Sequence, residues 1–70
     1  MFFEHDKLRG RMAEKGYTIR KLAQEIGVHE NTLSHKLYSE TYFTSVEILQ
    51  ICELLDIQKT EIYEYFFMVR

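Results

Sequence analysis

Residues 18–38 decide the fold, and they read TIRKLAQEIGVHENTLSHKLY. Apolar residues recur at intervals of three and four on both sides of Gly27, which predicts two short amphipathic helices. Thr18 is a suitable N-cap for the first helix, and Gly27 can adopt the left-handed conformation that ends it. The second helix is apolar on one side only, at Leu33 and Leu37, so we expect its other side to face solvent.

The rest of the chain follows the same helical spacing, with no Pro and only three Gly to interrupt it. A further helix is predicted from Phe3 to Lys15, and after a loop at Ser39–Phe43 the residues Thr44 and Glu47 form a capping box for another. A short last helix is predicted at about Lys59–Phe66. Because 70 residues can bury only one core, we expect one domain over residues 1–70, with all-α class and a five-helix bundle.

Composition excludes several classes of protein. The chain is 46% hydrophobic, too much for a disordered segment, and no apolar run approaches the ~18 residues that cross a membrane. The first residues, Met-Phe-Phe-Glu-His-Asp, lack the features of a secretory signal. Cys52 is the single cysteine and fits a reducing compartment as a buried structural thiol. We therefore expect a cytoplasmic protein with no membrane partner.

The charge distribution is uneven along the chain. The net charge is -2, which counts against nucleic-acid binding, since such domains are usually basic. Up to residue 36, however, seven Lys or Arg stand against five acids, whereas two stand against six from residue 37 onward. The first half is thus the part predicted to face phosphate groups.

The central stretch resembles the Cro/C1-type (XRE-like) helix-turn-helix regulators of temperate bacteriophages and bacteria. The residues that carry this resemblance are Leu22-Ala23, Ile26-Gly27-Val28 and Leu33. A wider pattern is similar to small phage proteins of Gram-positive hosts, among them Cro-like repressors and modulators of repression; it comprises Lys36-Leu37, Phe43-Thr44, Glu47-Ile48-Leu49, Leu55-Asp56-Ile57 and Ile62-Tyr63-Glu64-Tyr65-Phe66-Phe67. The resemblance implies a lambda-repressor-like fold, with the helix-turn-helix at about residues 18–38.

The resemblance also implies which residues face DNA. The base-contacting candidates are His29, Glu30, Asn31, Ser34, His35 and Tyr38, and the phosphate-contacting candidates are Thr18, Arg20, Lys21 and Lys36. Asn31 can pair with an adenine edge, Glu30 can accept from cytosine, and a histidine can donate to guanine. Ile19 and His29 depart from the family pattern, which often has Gln and a Ser or Thr cap at these positions.

Two functions remain open from the sequence. The first is a homodimeric transcriptional regulator in the cytoplasm, at the bacterial nucleoid, that binds a pseudo-palindromic double-stranded operator. The alternative is an interaction module, a modulator of repression or antirepressor, that binds a phage repressor protein. The apolar tail either completes the monomer core or forms a surface for a dimer or another partner; the residues assigned to that surface are Leu49, Leu54, Tyr65, Phe66 and Phe67.

Other classes of function have little support in the sequence. There is no glycine-rich phosphate loop and no nucleophile with a supporting base nearby, so we expect no enzyme activity, no cofactor and no small-molecule substrate. His29 and His35 are six residues apart, a poor spacing for one helical face, so no metal site is expected.

Overall fold

The computed structural model describes residues 3–38 and 42–69. Within these ranges it forms five α-helices and one 3₁₀ turn, which confirms the all-α class and the predicted five helices. The helices are α1 (Asp6–Glu14), α2 (Ile19–Ile26), α3 (Glu30–Tyr38), α4 (Ser45–Leu55) and α5 (Ile62–Phe66), with the 3₁₀ turn at Lys59–Glu61. Positions 39–41 of the predicted loop lie outside the described residues. None of these helices is long and apolar enough to cross a membrane.

The joint between α2 and α3 forms as the sequence predicts. The Thr18 hydroxyl accepts a hydrogen bond from the Lys21 amide at 3.1 Å and so caps α2. Gly27 has φ 76°, a left-handed conformation that a side chain would strain. The amide of the next residue, Val28, then donates to the Ala23 carbonyl at 3.0 Å and closes the end of the helix. This turn sets the direction in which α3 leaves α2.

Helix α4 begins as predicted but ends by a device that the sequence analysis did not identify. Thr44 and Glu47 form the capping box at its start. At its end Asp56 adopts a left-handed conformation with φ 55°, and the following Ile57 amide donates to the Cys52 carbonyl at 2.9 Å. Aspartate tolerates this conformation better than most residues do. Asp56 therefore does for α4 what Gly27 does for α2.

One hydrophobic core joins all five helices. Each fully buried aliphatic side chain contributes about 1.5–3 kcal/mol by leaving water. Helix α3 contributes only its apolar side, at Leu33 and Leu37, as predicted. The largest fully buried hydrophobic side chains are Leu8, Leu22, Leu33, Leu37, Ile51, Leu55 and Phe66.

The N-terminal boundary predicted for α1 is wrong. Phe3 does not begin a helix but pairs with Val69 in an antiparallel bridge, and the Glu4 amide donates to the Met68 carbonyl at 2.7 Å. Helix α1 therefore starts only at Asp6. The backbone groups of these first residues are satisfied by the C-terminal segment instead of by a helical turn.

The assignment of Tyr65 and Phe66 to a dimer or partner surface is also wrong. Their exposures are 7% and 0%, so both belong to the monomer core. Phe66 packs edge to face against Phe43, with ring centroids 5.6 Å apart. Phe67 is half-buried and packs against Phe3 in the same way, at 5.9 Å. The aromatic tail closes the core because the helices before it leave that side uncovered.

The remaining residues of the predicted surface divide in two. Leu54 is half-buried and packs against the core, whereas Leu49 remains 59% exposed. Leu49 is thus the member of that set that the monomer leaves accessible.

We predict that Phe66→Ala lowers the free energy of unfolding by about 3–5 kcal/mol, because it leaves a cavity in the core. A domain of this size has only roughly 4–10 kcal/mol in total. Phe66→Leu should cost less because it retains most of the volume, and Tyr42→Ala, at a 65% exposed position, should cost little. Urea denaturation at two protein concentrations measures these values. A loss for Phe66→Ala that grows on dilution would instead place Phe66 in an interface.

Candidate nucleic-acid interface

The polar side of α3 faces solvent, as the sequence predicts. It is opposite Leu33 and Leu37, which are buried. Of the six residues assigned to base contacts, Ser34 is half-buried and the other five are exposed: His29, Glu30, Asn31, His35 and Tyr38. The structure therefore places these side chains on one accessible helix and at its start.

The start of α3 is capped by a histidine. The Nδ1 atom of His29 accepts a hydrogen bond from the Asn31 amide at 3.1 Å, the bond that a Ser or Thr side chain commonly makes at this place. Because Nδ1 accepts, the ring hydrogen is on Nε2. His29 thus replaces the usual cap and keeps a donor for an external acceptor.

Side chains of α1 and of His5, the residue just before α1, hold the end of α3. The Nδ1 atom of His5 lies 3.0 Å from the Lys36 carbonyl oxygen, and since a carbonyl only accepts, Nδ1 donates. The Arg9 guanidinium donates to the Leu37 carbonyl at 2.8 Å. The same guanidinium stacks over the Tyr38 ring, 4.7 Å from its centroid. Carbonyl groups at a helix end lack partners within the helix, so these bonds fix both its position and its orientation.

Lys36 does not fit the phosphate-contacting role predicted for it. Its ammonium group donates to the Glu47 carboxylate at 2.6 Å, and its side chain is only 19% exposed. The same Glu47 oxygen accepts from the Thr44 amide at 2.9 Å as part of the capping box. The ammonium also lies over the Phe43 ring, 5.7 Å from its centroid. Lys36 therefore ties α3 to the start of α4 and is not directed outward.

These contacts change the acidity of Glu47. Burial alone would raise the pKa of this carboxyl group, but the hydrogen bonds from Lys36 and Thr44, together with the Lys36 charge, outweigh it and hold the pKa below its ordinary value of 4.5. The carboxylate is therefore ionised in the folded protein at neutral pH. The ion pair joins two helices at a place that is mostly shielded from solvent.

Most other cations of the first half are also used within the fold. Lys7 pairs with Glu64, Arg9 with Asp6 and Arg11 with Glu14, and Lys15 lies 4.0 Å from Asp56. Within the described part of the helix-turn-helix, Arg20 and Lys21 are the exposed cations that no carboxylate neutralises. The basic half of the sequence thus offers far less free positive charge than its composition suggests.

Side chains that could bind a metal lie apart from one another in the part of the chain that the structure describes. Among residues 3–38 and 42–69, no three His, Cys, Asp or Glu side chains lie close enough together to hold an ion. Cys52 is half-buried on α4, and burial raises the pKa of its thiol, which favours the neutral form.

Sequence reasoning missed the residues that hold α3 in place. His5, Arg9 and Glu47 act on it over separations of 31, 28 and 11 residues. No local spacing indicates such contacts, because they depend on how the helices pack. The assembled site is an exposed polar helix that contacts from α1 and α4 hold in place. A helix of this kind can enter a groove of matching width, such as the major groove of DNA.

The fold is that of the small helix-turn-helix proteins of Cro/C1 type. The modulator of repression (MOR) of the temperate bacteriophage TP901-1 from Lactococcus lactis is similar over 100% of this chain and 97% of its own, with 30% identity and a TM-score of 0.76. The restriction-modification controller protein C.AhdI from Aeromonas hydrophila matches 83% of this chain and 88% of its own, with 24% identity and a TM-score of 0.70, and supports the fold alone.

The chain belongs to the family described as "Protein of unknown function (DUF739)", whose model matches residues 1–69. Comparison with curated protein sequences finds no match. The modulator of repression and the controller protein are both regulatory proteins.

We predict that Glu47→Gln lowers the free energy of unfolding at neutral pH by about 1–3 kcal/mol, since it leaves the shielded Lys36 ammonium without its charged acceptor. The folded protein lowers the pKa of Glu47, so this stabilisation is complete above the ordinary pKa of 4.5 and is lost as the pH falls through the lowered value. The difference between wild type and variant should therefore shrink in acid. Denaturant titrations at several pH values measure it.

Glu64→Gln is the matched control. It removes the ion pair between Glu64 and Lys7. The side chains of both residues are about half exposed. Such pairs contribute at most about 1 kcal/mol. Equal losses for the two variants would contradict a special role for Glu47.

Proposed function

We propose that this protein is a transcription regulator that binds a specific DNA operator through α3. The observation that carries the proposal is the exposed polar side of α3, which is anchored at its start by the His29 cap and at its end by His5 and Arg9. Specific readout needs side chains that are held in place before DNA arrives, because ordering them during binding costs free energy. The anchored helix meets this need.

The chemistry of the exposed side chains assigns their roles. Asn31 is assigned to an adenine edge, which its amide can contact with one donor and one acceptor. Glu30 is assigned to the amino group of a cytosine, and His29 or His35 to a guanine acceptor. Ser34 and Tyr38 complete the proposed base-contacting set.

The phosphate contacts are assigned to the start of α2. Arg20 and Lys21 are exposed there, and Thr18 is the cap residue of the same helix, whose N-terminal end favours anions. Two cations per copy imply a salt slope, the slope of the logarithm of the binding constant against the logarithm of the salt concentration, of roughly -2 per copy. The binding is therefore expected to depend less on salt than is usual for a repressor, and base contacts carry more of it.

Two copies are proposed to occupy the operator. Their half-sites would lie about 10 bp apart, or a multiple of this, so that both copies of α3 face the same side of the duplex. Since Tyr65 and Phe66 are buried, the seam between copies is assigned to exposed apolar residues of α5 and the segment after it: Tyr63, Met68 and Val69. Repression would follow from occupying promoter DNA in the cytoplasm, without a cofactor.

A second candidate function is binding to a partner repressor protein. It is favoured by the 30% identity to a phage modulator of repression and by the net charge of -2. In this case DNA binding by the isolated protein is weak, and the regulatory effect depends on the partner.

Binding to the DNA beside the protein's own gene separates the two candidates. The purified protein is titrated onto those fragments and onto random DNA at two salt concentrations. Tight binding to one site, with a preference of about 10³ or more over random DNA, supports the first function. Weak binding that does not discriminate between the fragments would overturn it and leave the second.

We predict that Asn31→Ala weakens binding to the operator by about 1–3 kcal/mol and relaxes the preference at one base position. Lys21→Ala should weaken binding to all sequences alike and reduce the salt slope by about 1. Gln50→Ala, on the exposed side of α4, is the control and should change neither. Equal losses for Asn31→Ala on operator and random DNA would contradict base contact.

A further inference from the structure

The outer side of α4 is flanked by two hollows. One, of about 650 Å³, lies between α4 and the segment that leads into α5, and its apolar lining includes Leu49, Cys52, Ile57 and Ile62. The other, of about 200 Å³, lies between α4 and α2 and is lined by Glu25, Gln50, Glu53 and Leu54. Glu53 lines both hollows and thus stands on the ridge between them.

The ridge of α4 exposes apolar side chains that the fold does not use. Leu49 is 59% exposed, and Val46, one helical turn before it, is 63% exposed. Leu49 lines the larger hollow and Val46 lies one turn from it, so the two side chains form a continuous apolar surface along the helix. Adjacent exposed aliphatic side chains next to a concave surface are typical of a protein-binding site.

The same surface is acidic. Glu25 and Glu53 come from different helices, and neither has an ion-pair partner in the described part of the chain. Asp56 also lines the larger hollow; its side chain is 75% exposed and forms a long ion pair with Lys15 at 4.0 Å. Of the described residues that line the two hollows, Lys59 is the single cation.

We propose that this surface, which we call the α4 ridge (Val46, Leu49, Glu53 and the two hollows), binds an amphipathic helix of another protein. The helix would place an aliphatic stripe, with the spacing i, i+3, i+4, i+7, along Leu49 and into the larger hollow. Lys or Arg side chains beside that stripe would meet Glu25, Glu53 and Asp56. The proposal deepens the second candidate function, on which it rests, by assigning the surface and the chemistry of the partner.

A second copy of this chain fits the α4 ridge poorly. A two-fold contact sets the same surface against itself, so Glu25 and Glu53, which have no ion-pair partner in the described part of the chain, would oppose the same two carboxylates of the second copy. Like charges brought together in this way cost free energy and disfavour the pairing. A partner with basic flanks gains from the same charges.

The α4 ridge is separate from the proposed DNA-contacting residues. None of those residues lines either hollow. Binding of a partner helix and binding of DNA by α3 can therefore be measured independently on one protein sample.

The test uses two synthetic helical peptides of about 15 residues, long enough for four turns. Both have leucines at the stated spacing; one has arginines at the flanking positions and the other has glutamates. Each is titrated into the ¹⁵N-labelled protein, and backbone amide shifts are followed by NMR. We expect the arginine peptide to bind about tenfold more tightly and to shift the amides of Leu49, Glu53 and Thr60.

Charge reversal at Glu53 should abolish the preference. Glu53→Lys, at an exposed position, leaves two lysines against two carboxylates around the hollows and is expected to bind the two peptides about equally. Glu64→Lys makes the same change of charge on α5, outside both hollows, and should keep the wild-type preference. Leu49→Ser should weaken both peptides, and circular dichroism verifies that each variant is folded.

Three results would overturn the proposal. Equal binding of the two peptides would remove the role of charge. Amide shifts confined to α3 would show that the peptides bind there and not at the α4 ridge; a role in binding a partner protein would then remain, on another surface. Concentration-dependent broadening at the α4 ridge without peptide, together with sedimentation as a dimer, would assign the surface to a second copy.

Discussion

The carbonyl groups at the ends of α3 and α4 are the constraint on which the rest of the structure depends. Buried or half-buried carbonyls need donors, and side chains of α1 and the residue before it supply them. His5 and Arg9 serve α3, and Arg11 serves α4 through Leu55 and Asp56, at 2.9 Å each. Helix α1 therefore acts as a clamp across two helix ends. Without it, only the Gly27 turn, the buried side of α3 and the Lys36–Glu47 ion pair would hold the direction of α3.

The clamp has an electrostatic cost for DNA binding. A domain that uses its arginines to satisfy its own carbonyls and carboxylates has few left for phosphate groups, and Lys36 is likewise engaged by Glu47. Rigidity of α3 and attraction to DNA thus compete for the same residues in a chain of only 70. The balance favours rigidity, which suits a protein that recognises a defined surface more than one that searches DNA by charge.

Local patterns in the sequence predicted the helices, the Thr18 and Thr44 caps, the Gly27 turn and the exposed side of α3, because each depends on residues within one or two turns. Long-range contacts account for what the sequence did not predict. The local sequence favours a helix start at Phe3, but Phe3 pairs with Val69 instead. It likewise favours an interface role for Phe66, but this ring packs against Phe43 in the core. The phosphate-contacting role predicted for Lys36 was wrong for the same reason, since its partner Glu47 lies on another helix. Counting charges along the chain could not show which of them the fold neutralises.

The bridge between Phe3 and Val69 makes the described chain almost a closed ring. A short peptide linker could join its two ends without disturbing the bridge. Such a cyclic form would have a smaller set of unfolded conformations and would gain stability from this alone. The same closeness means that domains fused before Phe3 and after Val69 would emerge side by side. They would crowd the side of the molecule where His5 contacts the end of α3 through the Lys36 carbonyl.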